Sequence, residues 1–208
     1  MTSAKFIVIE GTDGSGKSTQ IKMLSDRMNE LNMPLLTTLE PTDRPIGKLI
    51  RKVLAHEIVV SNDVLAGLYF SDRLDHLTND KDGMLKVLSE GTSIICDRYY
   101  LSSLAYNSLN SSMQWVYDLN ERCMNLKRPD LTIFLDLEVK ESLRRIEMGR
   151  TTVDLFEKED VLTHVKNKYN EAIDMLSPHE KIVKISADGD PEWIHAQVWE
   201  EVLELFSN

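Results

Sequence analysis

The chain is predicted to be an α/β protein built on a five-stranded parallel sheet with helices on both faces. Two observations predict it. Short apolar, β-branched runs alternate with longer segments in which apolar residues recur at helical spacing. The first such pair is joined by Gly11-Thr12-Asp13-Gly14-Ser15-Gly16-Lys17-Ser18, which fits G-x-x-x-x-G-K-[ST] in the strand-then-helix setting that pattern requires.

The strands can be taken in order. Lys5-Phe6-Ile7-Val8-Ile9-Glu10 is an apolar run suited to a buried parallel strand, and Ile21, Leu24, Met28 and Leu31 mark the helix after the glycine-rich loop. Leu35 to Leu39 is the second strand. It runs into Glu40-Pro41-Thr42-Asp43-Arg44-Pro45, where two prolines forbid a continuing ladder and leave a loop at a strand's carboxyl end. Ile46, Leu49, Ile50, Val53 and Leu54 pattern one helix, and a longer one spans about Asn62 to Asn79, with Tyr69 and Arg73 one turn apart. Thr92 to Arg98, Leu131 to Asp136 and Lys181 to Ser186 complete the strands. Helical patterns run from Met113 to Leu126, Val139 to Met148, Val161 to Leu176 and Pro191 to Phe206.

With 208 residues and no linker-like composition shift, the chain is read as one domain, 1–208. Its 42% hydrophobic and 28% charged content is that of a soluble globular protein. A net charge of -10 argues against nucleic acid as the main partner. Two cysteines, Cys96 and Cys123, are too few for a disulfide framework and fit a reducing cytosol, so a cytoplasmic location is expected. There is no apolar stretch of about 18 residues, so neither a membrane span nor a signal peptide is expected.

The chemistry sits at strand ends. Gly11, Gly14 and Gly16 let the backbone turn its N–H groups onto a polyphosphate, at the positive end of the following helix. Lys17 can reach the outer phosphates, and Ser18 can bind Mg²⁺. Asp97 closes a strand as a metal-proximal carboxylate would. Asp136 closes another, but Asp97 is preferred because Arg98, Tyr99, Ser102 and Tyr106 follow it; Asp136 reads better as a loop or helix-capping carboxylate. Arg44, Arg73 and Arg98 each fall where a guanidinium could meet a phosphate monoester, although on spacing alone each is more often an ordinary solvated surface residue. The basic stretch Arg144 to Asp154, with a lid placed at about 147–158, is either a solvated turn or a moving segment that carries an arginine.

Together, Glu10-Gly11-x-Asp13-Gly14-x-Gly16-Lys17-Ser18-Thr19-Gln20, the Glu40-Pro41-Thr42 loop, Asp97-Arg98-Tyr99 with Ser102-Ser103 and Ala105-Tyr106, and Arg128-Pro129-Asp130-Leu131-Thr132 resemble thymidylate kinases. The resemblance covers most of the chain and implies a P-loop kinase fold, ATP with Mg²⁺, dTMP as the acceptor and a homodimer. It implies that Gly11 through Thr19 hold the nucleotide phosphates and that Asp97 and Arg98 lie at the metal and the phosphates. It puts Asp13 near the sugar 3′-OH or metal, Tyr106 against the sugar C2′, Arg73 on thymine with Tyr69 or Phe70 stacked, and Arg145 over adenine. Two departures stand out. Leu39 replaces the arginine that often precedes Glu40-Pro41, leaving monophosphate contact there to Arg44. Gly14 replaces a phosphate-loop arginine, which moves that charge to a lid residue, Arg150. A deoxynucleoside kinase and a nucleotide-dependent switch are the rival readings; no Asn-Lys-x-Asp guanine signature is present.

Overall fold

A computed structural model describes residues 4–149 and 159–207. Its elements are β1 (Phe6–Gly11), α1 (Lys17–Glu30), β2 (Leu35–Leu39), α2 (Pro45–Leu54), α3 (Asn62–Thr78), α4 (Met84–Ser89), β3 (Ser93–Asp97), α5 (Tyr100–Asn107), α6 (Met113–Leu126), β4 (Leu131–Asp136), α7 (Val139–Gly149), α8 (Glu159–Leu176), β5 (Ile182–Ser186) and α9 (Pro191–Ser207). The five strands pair in parallel in the order β2-β3-β1-β4-β5.

Alternation along the strands decides which helices lie where. Phe6, Val8, Ile94 and Cys96 point into a core shared with α3, α5, α6 and α8. Ile7, Ile9, Ile95, Ile133 and Leu135 point the other way, onto Leu24 and Met28 of α1 and Val198 and Val202 of α9. Both faces of the central strand are therefore dry, and every residue of β1 is buried.

Two helices were not marked by the sequence pattern. In α5, seven of eight residues are buried, so there is no polar face to produce a helical period. At six residues α4 is too short for one. The register brings Leu39 of β2 and Ile9 of β1 alongside Asp97 of β3, so the loops after these strands open together at the carboxyl edge of the sheet. No helix among the described residues is long and apolar enough to cross a membrane.

Candidate active site

The phosphate loop is built by its glycines. Gly11, Gly14 and Gly16 have φ of 148°, 77° and 92°, which suit a residue without Cβ. At Gly14 there is also a steric reason, since a Cβ would stand 2.7 Å from the Ser142 carbonyl oxygen on α7. The Lys17 Nζ donates to the carbonyls of Gly11 at 3.1 Å and Thr12 at 2.9 Å, so the ammonium lies across the mouth of its own loop. Burial, with the Arg98 charge adding to it, lowers its pKa to about 8 against the pull of Asp13 and Asp97. A buried cation held mainly by neutral carbonyls is a site in which an anion is favoured.

Across from the loop, Arg98 adopts a left-handed backbone, φ 68°, at the end of β3, a conformation an arginine rarely takes without surrounding constraint. Its guanidinium donates to Asp13 Oδ1 at 2.6 Å, to the Gly11 carbonyl at 3.2 Å, to Ser102 Oγ at 3.0 Å and to the Tyr169 hydroxyl at 3.0 Å. The Tyr106 ring lies 5.2 Å from that guanidinium, and its hydroxyl is 3.5 Å from Asp13 Oδ2.

Beneath these groups sits Glu10, fully buried at the end of an otherwise apolar strand. It accepts from the backbone N–H of Tyr99 at 2.8 Å and of Ser102 at 3.1 Å, from Ser102 Oγ at 2.6 Å and from the Tyr169 hydroxyl at 3.1 Å. The carboxylate thus supplies acceptors to the first turn of α5, whose N-cap residue Tyr99 has no capping side chain of its own. Burial raises its pKa, opposed chiefly by Arg98.

Asp13 through Gln20, Leu39, Glu40, Asp97, Arg98, Arg145 and Ile146 line one cleft of about 720 Å³, with Gly189, Pro191 and Ile194 as its far wall. Gln20 Nε2 donates to the Pro191 carbonyl at 3.0 Å, and Arg145 donates to the Ala187 carbonyl at 3.1 Å, tying α1 and α7 to that wall. The residues fit a bound metal: Asp97 Oδ1 is buried with no hydrogen-bond partner among the described residues, and Ser18 and Asp97 line the same cleft. Those two side chains offer the oxygen donors a magnesium ion prefers. Asp136 is instead paired with Lys166 at 3.0 Å.

The arginines divide. Arg98 and Arg145 face the cleft. Arg44 is not brought to it: its guanidinium pairs with Asp75 at 2.9 Å and Asp82 at 2.7 Å, since a half-buried loop arginine beside a helix end rich in aspartate finds carboxylates there first. The contact that Leu39 appeared to leave to Arg44 is therefore not made ready by the fold. Arg73 is 1% exposed and donates to Glu40 Oε2 at 2.8 Å, to Ser103 Oγ at 3.0 Å and to Asn120 Oδ1. Tyr69 shares its helix, half-buried, with Asp13, Arg73 and Arg98 near enough to act on its hydroxyl. Phe70 packs against the core beneath α3. Of the lid, residues 147–149 end α7, whereas Arg150 and the rest to 158 lie outside the described residues.

Sequence reading missed Glu10 as a polar hub, Tyr169, Asn120 and the far wall at Gly189 and Pro191. Glu10 had a signal, a lone carboxylate ending an apolar run. The others meet the site only through packing between distant segments.

A family model described as thymidylate kinase matches residues 9–198. A probable thymidylate kinase of Pyrococcus horikoshii is 39% identical over 199 residues, covering 93% of each chain. Those of Thermococcus kodakarensis and Methanocaldococcus jannaschii are 35% and 32% identical, the alignments covering 93% and 95% of this chain and 94% and 95% of theirs. The phosphate loop, the Asp97-Arg98-Tyr99 corner and the cleft between them are thus features of a chain that belongs to the thymidylate kinase family.

Proposed function

We propose that this protein transfers the γ-phosphoryl group of ATP to dTMP, giving dTDP, and that it does so in the cleft between the phosphate loop and Arg98. The observation that carries the reading is Lys17, a buried ammonium lying on two loop carbonyls beside Arg98, within a chain of this family. The amides of Gly14 to Ser18 hold the donor phosphates, and Lys17 turns from the carbonyls of Gly11 and Thr12 to the outer ones. Arg145, with Gly189, Pro191 and Ile194, forms the place for adenine.

Arg98 is the group that meets the acceptor phosphate, oriented by Asp13, Ser102 and Tyr169. Tyr106 stands over it as the bulk against C2′. On α3, Tyr69 and Arg73 address the base. No general base is required, because a phosphate monoester has a second pKa near 6 and is already mostly ionised at neutral pH. The protein's work is to hold two polyanions in line and to offset the charge between them. Mg²⁺, held by Ser18 and Asp97, would neutralise charge on the phosphoryl oxygens.

A thymidine kinase would gain from a carboxylate base and need fewer cations. ADP release measured with dTMP, with thymidine and with neither separates the cases: release that depends on dTMP is expected, and release with thymidine alone or with ATP alone removes the proposal. A homodimer through α3, where Val64 is half exposed, is part of the same reading. Light scattering on wild type and Val64→Glu tests it. A cytosolic setting accords with two buried, free cysteines.

A further inference from the structure

Behind the cleft, three side chains of different chemistry converge from three elements. Glu40 follows β2, His76 comes from the last turn of α3, and Cys96 comes from the middle of β3. One ligand atom from each lies within 4.8 Å of those of the other two, and all three residues are buried.

Their surroundings resemble the outer shell of a metal site. His76 turns Nδ1 to Glu40 Oε1 at 3.1 Å, while Nε2 is 2.8 Å from Thr38 Oγ1. A metal-bound imidazole is held by such a contact on its other nitrogen. The second oxygen of Glu40 accepts from Arg73 Nε at 2.8 Å, as a ligating carboxylate is steadied by a donor.

We propose that Glu40, His76 and Cys96 bind a thiophilic divalent cation of the Zn²⁺ or Cd²⁺ class, with water as a fourth ligand. Thiolate, imidazole and carboxylate form the donor set such ions take, whereas Mg²⁺ demands oxygen. Bonds of about 2.0–2.3 Å require ligand atoms roughly 3.5 Å apart; the His76 and Glu40 atoms already meet that at 3.1 Å, so it is Cys96 Sγ that must draw in, by at most about 1 Å. Binding releases one proton, that of the Cys96 thiol, otherwise donated to the Arg98 carbonyl, because a metal takes the thiolate. The thiolate so formed and the Glu40 carboxylate together offset the cation. Glu40 also lines the cleft, so a route from solvent ends at one of the ligands.

The site is linked to the reaction through Glu40, the partner of Arg73. A cation drawing on that carboxylate weakens its hold on the guanidinium, and the KM for dTMP rises. This consequence rests on the acceptor reading of Arg73; the binding itself does not.

The test uses the full-length protein stripped of metal with a chelator and titrated with Co²⁺. Expected are one equivalent bound, a near-ultraviolet thiolate-to-cobalt charge-transfer band, the visible bands of a four-coordinate ion, and one-for-one displacement by Zn²⁺. The bands should vanish in Cys96→Ala and in His76→Gln and persist in Cys123→Ala. Cys96→Ser serves if the alanine variant does not fold, since it keeps the size and gives up the thiolate. A wild-type spectrum of weak six-coordinate bands alone, or a thiolate band that survives loss of Cys96, overturns the proposal. Saturating Zn²⁺ should then raise the dTMP KM about tenfold in wild type. Stoichiometric binding with that KM unmoved supports the metal site and overturns the role of Arg73 instead.

Discussion

Arg98 and Asp13 are joined by a 2.6 Å hydrogen bond that spans the cleft from the end of β3 to the phosphate loop. It fixes one guanidinium face while the opposite nitrogen serves Ser102 and Tyr169. The two halves of the site are thus locked together before any substrate arrives.

That lock predicts a coupling. With Asp13 about a third exposed, the pair is worth on the order of 1 kcal/mol to stability, but it orients the group proposed above to meet the acceptor phosphate. Asp13→Asn is expected to lower kcat about tenfold with a small change in melting temperature. In a double-mutant cycle with Arg98→Lys, the two effects on kcat should not add. Additive effects show that Asp13 acts elsewhere.

Lys17 predicts an alkaline limb. Its pKa in the free protein is about 8, and a polyphosphate favours the charged form and raises it. As pH rises past 8 the free enzyme loses the ammonium, so kcat/KM for ATP should fall, and ATP binding at such pH should take up a proton. For the free fold the sign is opposite. Its lysine releases the proton at lower pH than the unfolded chain does, so between about 8 and 10.5 this group adds stability as pH rises. Lys17→Ala should abolish transfer without unfolding the chain. Lys17→Arg should remove the alkaline limb, and a limb unchanged in that variant assigns it to another group.

Gly14 predicts a steric limit. Its φ of 77° and the Ser142 carbonyl 2.7 Å from a hypothetical Cβ leave no place for a side chain unless α7 moves. Alanine there should cost about 1–2 kcal/mol in backbone strain alone, and more through the contact with α7. A fall in melting temperature of several degrees and a raised KM for ATP are expected, and a neutral Gly14→Ala would show that the loop and α7 are not in contact. Gly14→Arg should be worse still.

Tyr106 predicts sugar selectivity. Its ring lies over Arg98 and meets Tyr169 edge to face, 6.0 Å between centroids, so its bulk is fixed. Tyr106→Ala should improve the ribonucleotide of thymine relative to dTMP by at least tenfold, with Tyr106→Phe close to wild type. An unchanged ratio in the alanine variant removes this role.

The sheet was legible because buried parallel strands are unbroken apolar runs, and the cradle because its chemistry is local to eight consecutive residues. Helix α5 was not, since a helix buried all round has no period to read. Arg44 and Arg73 show a second limit: in sequence both are arginines placed where a loop or helix could face the phosphate cradle, yet one is tied to Asp75 and Asp82 at the surface and the other to Glu40 in the interior. Nothing local tells them apart, because their partners lie roughly 30 to 40 residues away. The same holds for Tyr169, which reaches Glu10 across 159 positions.

Arg73 carries the sharpest prediction, because a simple truncation would mislead. Its side chain and that of Glu40 are 1% and 3% exposed, so Arg73→Ala strands a buried carboxylate and should cost about 3–5 kcal/mol, enough to unfold much of a domain of ordinary stability. A weakened dTMP affinity in that variant would say nothing about contact with the base. The double variant Glu40→Gln, Arg73→Gln removes both charges together and keeps amide groups to bond Ser103 and Asn120, so it should recover most of the stability. If Arg73 addresses thymine, the double variant should still show a dTMP KM raised at least tenfold with the ATP KM within twofold of wild type, a loss of binding to one substrate only. If stability and the dTMP KM recover together, the arginine is a structural partner of Glu40 and the base is read by another group on α3, with Tyr69 the first to test.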